Sequence, residues 1–215
     1  MLEPFVLEGR RVRLEPLALE HVPLLAAAAA QDRSTYAFTW VPDGVQDTRR
    51  YVEAALEHQQ TGRALAWAVR LLAENRIVGS TRFLDLEVFS SPPPWPPGVG
   101  RGGEPGPDHP PSVGEIGGTW FAASVQRTGV NSEVKFLQLA HAFEVWQVLR
   151  ITFKTDARNH RSRRAIEGLG ARFEGVRRAH SPATDGSVRD TAYFSVLREE
   201  WPTVRTALRR RLGWE

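Results

Sequence analysis

The chain has 215 residues, of which 41% are hydrophobic, and it carries a formal net charge of +3 at pH 7. The absence of cysteine excludes disulfides, thiolate catalysis and cysteine metal sites, and the absence of an 18-residue apolar run excludes an ordinary membrane-spanning helix. The arginines are interleaved with acidic residues, which predicts a solvated surface and not a nucleic-acid interface. The first residues lack the pattern of a secretory signal, so we expect a cytoplasmic protein with a single domain over residues 1–215.

The first half of the chain predicts two helices and the first strands of a sheet. Alternating residues after Gly9 indicate a strand, segments rich in alanine and leucine indicate helices, and Glu74-Asn75-Arg76 separates two further strands as a hairpin turn would. The predicted elements are a strand at 11–14, helices at 19–30 and 49–60, and strands at 64–72 and 77–86.

The segment 90–112 reads SSPPPWPPGVGRGGEPGPDHPPS. Proline and glycine at this density sustain neither a helix nor a strand ladder, so the segment is predicted to be a long insertion loop. Long loops in compact domains are often functional, and Trp95 and His109 could cover a site. A tolerated insertion without a role is the alternative interpretation.

The second half alternates strands and helices. The predicted elements are strands at 116–122, 150–155, 172–178 and 188–197, helices after the polar turn at 126–132 and at 160–167, and an arginine-rich helix after Trp201. A mostly antiparallel sheet with at least one strand–helix–strand crossover is typical of an α/β or α+β sandwich.

The polar turn that opens the stretch QRTGVNSEVKFLQLAHAF (126–143) is a candidate anion-binding site. The first N–H groups of a helix lack partners and the helix dipole adds positive potential there. Gly129 leaves room for a phosphate, Arg127 could contact it, and Asn131 or Ser132 could cap the helix. An ordinary capped turn would look much the same. Of the three asparagines in the chain, Asn131 and Asn159 both stand at helix starts.

At this point the sequence resembles a known family. The order Gln126-x-x-Gly129-x-Asn131 is similar to the pyrophosphate-binding loop of the GCN5-related N-acetyltransferases (GNAT). The segments GEIGGTWFAAS (114–124), TDARNHRSRRAIEGLGARFEG (155–175) and RDTAYFSVLREEWP (189–202) resemble those of the subfamily that acetylates the N-termini of ribosomal proteins. The resemblance implies a mixed, mostly antiparallel sheet of about seven strands, flanked by helices, with the fourth and fifth strands splayed apart.

The resemblance also implies acetyl-coenzyme A as co-substrate and no metal. The cofactor's arm would enter between the splayed strands, and backbone N–H groups of the fourth strand would polarise the thioester carbonyl. The loop would hold the diphosphate, and Asn159 would contact the arm from the opposite wall. The residues implied for the cofactor are Phe121, Ala122, Ala123, Gln126, Arg127, Thr128, Gly129, Val130, Asn131, Ser132, Asn159, Ser162 and Arg163.

Acetyl transfer to an amine needs a group that removes a proton from the nitrogen. Glu115 lies on the fourth predicted strand and would share a face with Gly117, Thr119 and Phe121 by the period of two. A carboxylate there suits the task in other family members, and a surface residue at a strand start is the alternative. Asp156 and Asp190 are further candidates.

His180 and Ser162 complete the catalytic candidates. His180 falls in the loop predicted after the sixth strand, where an imidazole could act as a base or be a solvated loop residue. Ser162 resembles a serine proposed to protonate the leaving thiolate, and a helix-turn hydroxyl is its alternative role. In many family members a tyrosine on the helix after the fifth strand acts as the general acid. No such tyrosine is evident here.

The predicted function is acetyl-coenzyme A-dependent transfer to a primary amine, either a protein N-terminus or a small molecule. A catalytically degenerate coenzyme A-binding regulator is the alternative, and a ribosome-binding module, suggested by the cluster Arg158, Arg161, Arg163 and Arg164, ranks last. Neither a membrane nor a nucleic acid is expected as a partner, and a homodimer is compatible with the resemblance.

Overall fold

The computed structural model describes residues 2–89 and 110–215, and their strands form one sheet. The eight strands are β1 (Leu7–Glu8), β2 (Val12–Pro16), β3 (Leu65–Leu71), β4 (Arg76–Glu87), β5 (Val113–Phe121), β6 (Arg150–Asp156), β7 (Arg172–Pro182) and β8 (Val188–Leu197). Their order in the sheet is β1-β2-β3-β4-β5-β6-β8-β7, and every pair is antiparallel except β5 with β6. The predicted mixed, mostly antiparallel architecture is confirmed, with the two-residue β1 as an added strand.

Helices cover both faces of the sheet. They are α1 (Val22–Ala29), α2 (Gly44–Gln60), α3 (Val130–Ala140), α4 (His160–Glu167) and α5 (Trp201–Leu212), and a π-helical turn, His141–Val145, extends α3. Helix α1 packs on α2 and β4, α3 packs on α5, and α4 lies against β6 and β8. In the residues that the structure describes, no helix combines the length and the apolar character needed to cross a membrane.

Alternation along β4 defines the two sides of the central sheet. Ser80 accepts a hydrogen bond from Tyr51 of α2, and the guanidinium of Arg82 lies over the same ring. The residue between them, Thr81, instead donates to Gln138 of α3. We therefore call the two faces the α2 side and the α3 side.

The core on the α3 side is aromatic. Trp67 of β3 meets Phe83 of β4 with ring centroids 5.5 Å apart, and Phe83 meets Trp146 at 4.8 Å. Such pairs add about 0.5–1.5 kcal/mol each beyond the burial of their surface. The hairpin that brings β3 against β4 turns at Asn75, whose φ of 45° is in the left-handed region that asparagine tolerates.

The sheet opens between β5 and β6. These strands pair in parallel at only three positions, Val113 with Arg150, Gly114 with Ile151 and Glu115 with Thr152. Beyond them β5 continues to Phe121 and β6 continues to Asp156 without pairing to each other. The predicted splay of two neighbouring strands is confirmed, and we call this opening the split.

A β-bulge at Gly118 changes which residues of β5 share a face. Ser80 is opposite Trp120 but Arg82 is opposite Gly117, so β5 contains one additional residue, and Gly118 adopts φ +56°. The shared face predicted from Glu115 to Phe121 is therefore wrong beyond the bulge. Thr119 lies on the α3 side, 2.8 Å from the hydroxyl of Thr81.

Several predicted boundaries also differ. Helix α2 begins at Gly44, five residues before the predicted start at Arg49, and β7 runs to Pro182, so that His180 lies in a strand and not in a loop. The interpretation of Trp95 and His109 as residues covering a site falls on residues outside the described part of the chain.

Candidate functional site

The loop that joins β5 to α3 bends sharply at two residues. Arg127 has φ +63° and Gly129 has φ +91°, and Gly129 is the N-cap residue of α3. The predicted capping by Asn131 or Ser132 is wrong, because the helix already begins at Val130. A Cβ on Gly129 would lie 3.0 Å from Nη1 of Arg11, so both the backbone angle and the space favour glycine.

The turn leaves a row of backbone donors without protein acceptors. Within residues 2–89 and 110–215, the N–H groups of Arg127 through Ser132 donate to no protein atom, and the first satisfied amide is that of Glu133, which donates to Gly129 O at 3.1 Å. The side chain of Arg127 is exposed beside them. Unpaired N–H groups at the positive end of a helix dipole form an anion-binding site.

Side chains from distant segments fix this loop. Nε2 of Gln126 donates to Phe121 O and to Thr35 Oγ1, both at 3.0 Å, while its Oε1 accepts from Arg161. The donors of Gln126 are therefore occupied by the protein, and the residue supports the loop instead of contacting a ligand through its side chain. On the other side of the loop, Nη1 of Arg11 donates to Thr128 O at 2.7 Å.

At the split, the backbone N–H groups of Phe121 and Ala122 differ in whether β4 occupies them. The Ala122 N–H donates to Val78 O of β4 at 2.8 Å, so the prediction that Ala122 polarises a bound carbonyl is wrong. Phe121, which is opposite Gly79, therefore turns its N–H and C=O away from β4 and toward the split. Its carbonyl accepts from the Tyr36 hydroxyl at 3.1 Å, which leaves the N–H as the donor at this position.

The first turn of α4 forms the far wall. Asn159 is buried and caps the helix by accepting from the Ser162 N–H at 3.0 Å, as its position at a helix start predicted. Arg163, which the resemblance implies for the cofactor, donates to Ala157 O and lies over the Phe173 ring at 5.2 Å. Arg161 is the α4 arginine that reaches the loop, where it contacts Gln126.

Glu115 lies at the base of the split on the α2 side. Its Oε2 is 2.5 Å from the ammonium of Lys154, which also contacts Asp85 at 2.9 Å. Burial raises the pKa of Glu115, and the close contact with the Lys154 ammonium and its charge oppose that shift without cancelling it. The contact with Lys154 lacks normal hydrogen-bond geometry, since Glu115 Oε2 has no well-directed donor. A carboxylate held in this way can accept a proton more readily than an exposed one.

His180 belongs to the same polar group of residues. Its Nδ1 is 2.9 Å from Thr191 Oγ1 and its Nε2 is 3.3 Å from the Tyr193 hydroxyl, and the Tyr193 ring lies 5.5 Å from the ammonium of Lys154. Burial, followed by the charges of nearby cations, lowers the pKa of His180 and so favours a neutral imidazole that can accept a proton. Lys154 and Tyr193 are not among the candidates from the sequence: Lys154 lies outside the family-like segments, and Tyr193 lies in one of them (189–202) without a role assigned to it.

Comparisons with known proteins agree with this geometry. A family model described as an acetyltransferase (GNAT) domain matches residues 11–172. A GCN5-related N-acetyltransferase from Brucella melitensis is 29% identical over 97% of this chain and 86% of its own, with a TM-score of 0.79. A protein assigned as an acetyltransferase from T. thermophilus is 34% identical over 99% of both chains, with a TM-score of 0.75. No curated protein matches.

One similar structure contains a cofactor derivative. Mycobacterium smegmatis RimJ in complex with CoA-disulfide is 19% identical to this chain, covers 98% of it and 95% of its own length, and has a TM-score of 0.75, which establishes a shared fold. The family match spans most of the present chain, and the T. thermophilus protein matches its whole length. The chain therefore belongs to the GNAT acetyltransferase family and is an acyltransferase.

Proposed function

We propose that this protein transfers the acetyl group of acetyl-coenzyme A to a primary amine by direct attack in a ternary complex. The acceptor is a peptide N-terminus or a small-molecule amine. The single observation that carries the proposal is the row of unpaired amides from Arg127 to Ser132 beside a split in the sheet. The family to which the chain belongs acts on acetyl-coenzyme A through the same fold.

In the proposed complex the diphosphate accepts hydrogen bonds from the loop amides, and the side chain of Arg127 adds a charged donor. The pantetheine arm lies in the split between β5 and β6. The Phe121 N–H polarises the thioester carbonyl, an effect worth about 2.7–4 kcal/mol per donor in other acyl transfers. Asn159, which is buried at the start of α4, contacts the arm from the opposite wall.

The proton balance follows from the groups on the α2 side. The amine nitrogen attacks the thioester carbon, the C–N bond forms, and the C–S bond breaks as the tetrahedral intermediate collapses. The nitrogen loses one proton to Glu115, whose pKa burial raises, or to His180, whose lowered pKa keeps the imidazole neutral and able to accept a proton. The departing thiolate is protonated through the hydroxyl of Ser162, half-buried in the first turn of α4, which passes on one proton and receives one from the protonated base or from solvent.

An alternative function is a coenzyme A-binding regulator without turnover. It is favoured by one observation, the ion pair between Glu115 and Lys154, which occupies the best-placed carboxylate. The two functions differ in a single measurable quantity, the release of free thiol from acetyl-coenzyme A in the presence of an amine.

Calorimetric titration of acetyl-coenzyme A tests the binding half of the proposal. We expect micromolar binding by the wild type and a loss of about 100-fold in Gly129→Glu, which places a like charge against the diphosphate. Gly62→Glu is the matched control, because Gly62 also has a positive φ (+74°) and has open space around it, in the turn between α2 and β3. Equal affinity of Gly129→Glu and wild type would overturn the proposed site.

Thiol release tests the catalytic half. A panel of small amines and N-terminal peptides should yield turnover with the wild type and strongly reduced turnover with Glu115→Gln or His180→Ala, each with acetyl-coenzyme A binding intact. Tight cofactor binding with no thiol release on any amine would instead establish the regulator.

A further inference from the structure

Within residues 2–89 and 110–215, Arg82 is a partly buried cation without an anionic partner. Its Nε is fully buried and has no hydrogen-bond acceptor, and no ion pair is formed by its guanidinium in the part of the chain that the structure describes. The group lies 4.3 Å from the centroid of Tyr51, but the Tyr51 hydroxyl is already engaged with Ser80 and Trp120. A buried polar atom left unpaired costs about 1–3 kcal/mol, so a native position for it calls for an explanation.

The position of Arg82 excludes the cofactor's phosphates as its partner. Arg82 is on the α2 side of β4, whereas the loop amides that would hold the diphosphate begin α3 on the other face of the sheet. Its side chain crosses over the bulge at Gly118, with Cδ 3.2 Å from where a Cβ on that glycine would stand. Any larger residue at the bulge would displace it.

Glu115 shares the α2 side with Arg82. Leu84 is directly opposite Glu115, and Arg82 is two residues from Leu84 on the same strand, which places the two positions about 7 Å apart along the sheet. Because Glu115 is already neutralised by Lys154 at 2.5 Å, it does not serve as the counter-ion of Arg82. The α2 side therefore presents a proton acceptor and an unpaired cation within the length of one small molecule or a short peptide.

The wall behind Arg82 is aromatic. Tyr51 and Trp120 lie 6.4 Å apart, and Trp40, which is 55% exposed, lies 5.8 Å from Tyr51. These rings exclude water on one side of the guanidinium, which strengthens any charged hydrogen bond formed there.

We propose that Arg82 binds a carboxylate of the acceptor, so that the substrates of this enzyme are primary amines that carry a carboxylate on the same molecule. This inference rests on the proposed acetyl transfer and names its substrate class. The planar guanidinium donates to both carboxylate oxygens, and the amine of the same molecule then lies toward Glu115.

Matched substrate pairs test the proposal. Phenylalanine and phenethylamine differ by one carboxylate, and the peptide amides Ala-Glu-Ala and Ala-Gln-Ala differ by one charge. The wild type should prefer the carboxylate member of at least one pair by about 10- to 100-fold in kcat/KM, mainly through KM, and the pair that responds tells whether the acceptor is a small molecule or a peptide. Arg82→Gln should abolish that preference, and Arg82→Lys should retain part of it. Arg210→Gln, an exposed arginine of α5, should keep the wild-type ratio.

Binding of the reaction product supplies a readout that does not need turnover. N-acetylphenylalanine or the N-acetylated Ala-Glu-Ala amide, titrated into the coenzyme A complex, should bind about 10-fold or more tightly than its carboxylate-free counterpart, and Arg82→Gln should remove the difference. Thiol release with no carboxylate preference in either pair would overturn this inference while leaving acetyl transfer standing. If no thiol is released but product binding depends on the carboxylate, acetyl transfer would be overturned while the carboxylate site at Arg82 would stand.

Discussion

The two lysines of the chain lie on opposite sides of the sheet beside the split, in opposite surroundings. On the α3 side, the ammonium of Lys135 is 2.9 Å from Thr81 Oγ1, 2.6 Å from Thr119 Oγ1 and 3.2 Å from Gln138 Oε1, and burial lowers its pKa to about 7. On the α2 side, burial would lower the pKa of Lys154, but its carboxylate partners outweigh burial and raise it. Lys154 on the α2 side thus stays protonated at neutral pH, whereas Lys135 on the α3 side is close to losing its proton.

The difference separates two tasks of the same pair of strands. Lys135 joins β4, the bulged part of β5 and α3 through neutral partners, so it fixes the geometry of the split without adding a strong field. Lys154 joins β6 to Glu115 of β5 where the strands cease to pair, and so it sets the charge of the proposed proton acceptor. In the proposed mechanism the proton acceptor therefore lies on the α2 side.

The largest expected effect concerns the charged side. Glu115→Gln should lower kcat by about 100- to 10,000-fold, because a positioned general base contributes that much, while acetyl-coenzyme A still binds. Since burial raises the pKa of Glu115 and a base must be deprotonated, wild-type activity should fall as the pH drops through that raised pKa. Thiol release measured across pH 4–9 checks both statements.

Lys154→Met sharpens the same test. Loss of the ammonium removes the interaction that opposes the raised pKa of Glu115, so the acid limb of the pH profile should move to higher pH. Glu57→Gln, an exposed glutamate of α2, should keep the wild-type profile. An acid limb that does not move in Lys154→Met would show that another group takes the proton.

Much of this fold follows from local sequence pattern. Asn75 between two apolar runs predicts the β3–β4 hairpin, and Gly129 before an amphipathic segment predicts a helix start with open space beside it. Asn159 predicts a cap because its short side chain can accept from the next turn. In each case the physical cause acts over a few residues and is therefore readable in the chain.

The composition of the site depends on contacts that the sequence does not encode locally. The Glu115–Lys154 pair requires the parallel register of two strands that are joined through a helix, and the Gly118 bulge reverses the side on which Thr119 lies. Arg161 and Arg163 point in opposite directions because residues two apart on a helix are about 200° apart, and the starting phase of α4 decides which one faces the loop.

The second prediction concerns the neutral side. The pKa of Lys135 is about 7 in the folded protein and near 10.5 in the unfolded chain, so the unfolded state binds more protons between these values. The contribution of Lys135 to stability should therefore rise by a few kcal/mol from pH 7 to pH 10 and stay constant below pH 7. The difference in unfolding free energy between wild type and Lys135→Met, measured with urea at several pH values, gives this slope directly.

Lys135→Arg distinguishes charge from size. Arginine cannot lose its proton, so this variant should remain destabilised even at pH 10, where the wild type has recovered. A flat difference between wild type and Lys135→Met from pH 7 to pH 10 would mean that Lys135 stays charged in the folded protein, and the contrast between the two sides would then fail.

The smallest effect concerns His141, a half-buried base on the α3 side. Burial lowers its pKa to about 4, its Nε2 has no hydrogen-bond partner among the residues that the structure describes, and its ring stacks on Phe5 with centroids 4.0 Å apart. The unfolded chain binds the proton first, so wild-type stability should be lost as the pH falls from about 6.5 to about 4. His141→Phe keeps the stack and should gain about 1–2 kcal/mol relative to wild type over that window, after allowance for solvent screening.

His141→Gln, which loses the stack, should be less stable at every pH yet show the same gain with falling pH. Parallel stability curves for wild type and both variants would show that His141 is protonated in the folded protein and that the α3 side is not neutral.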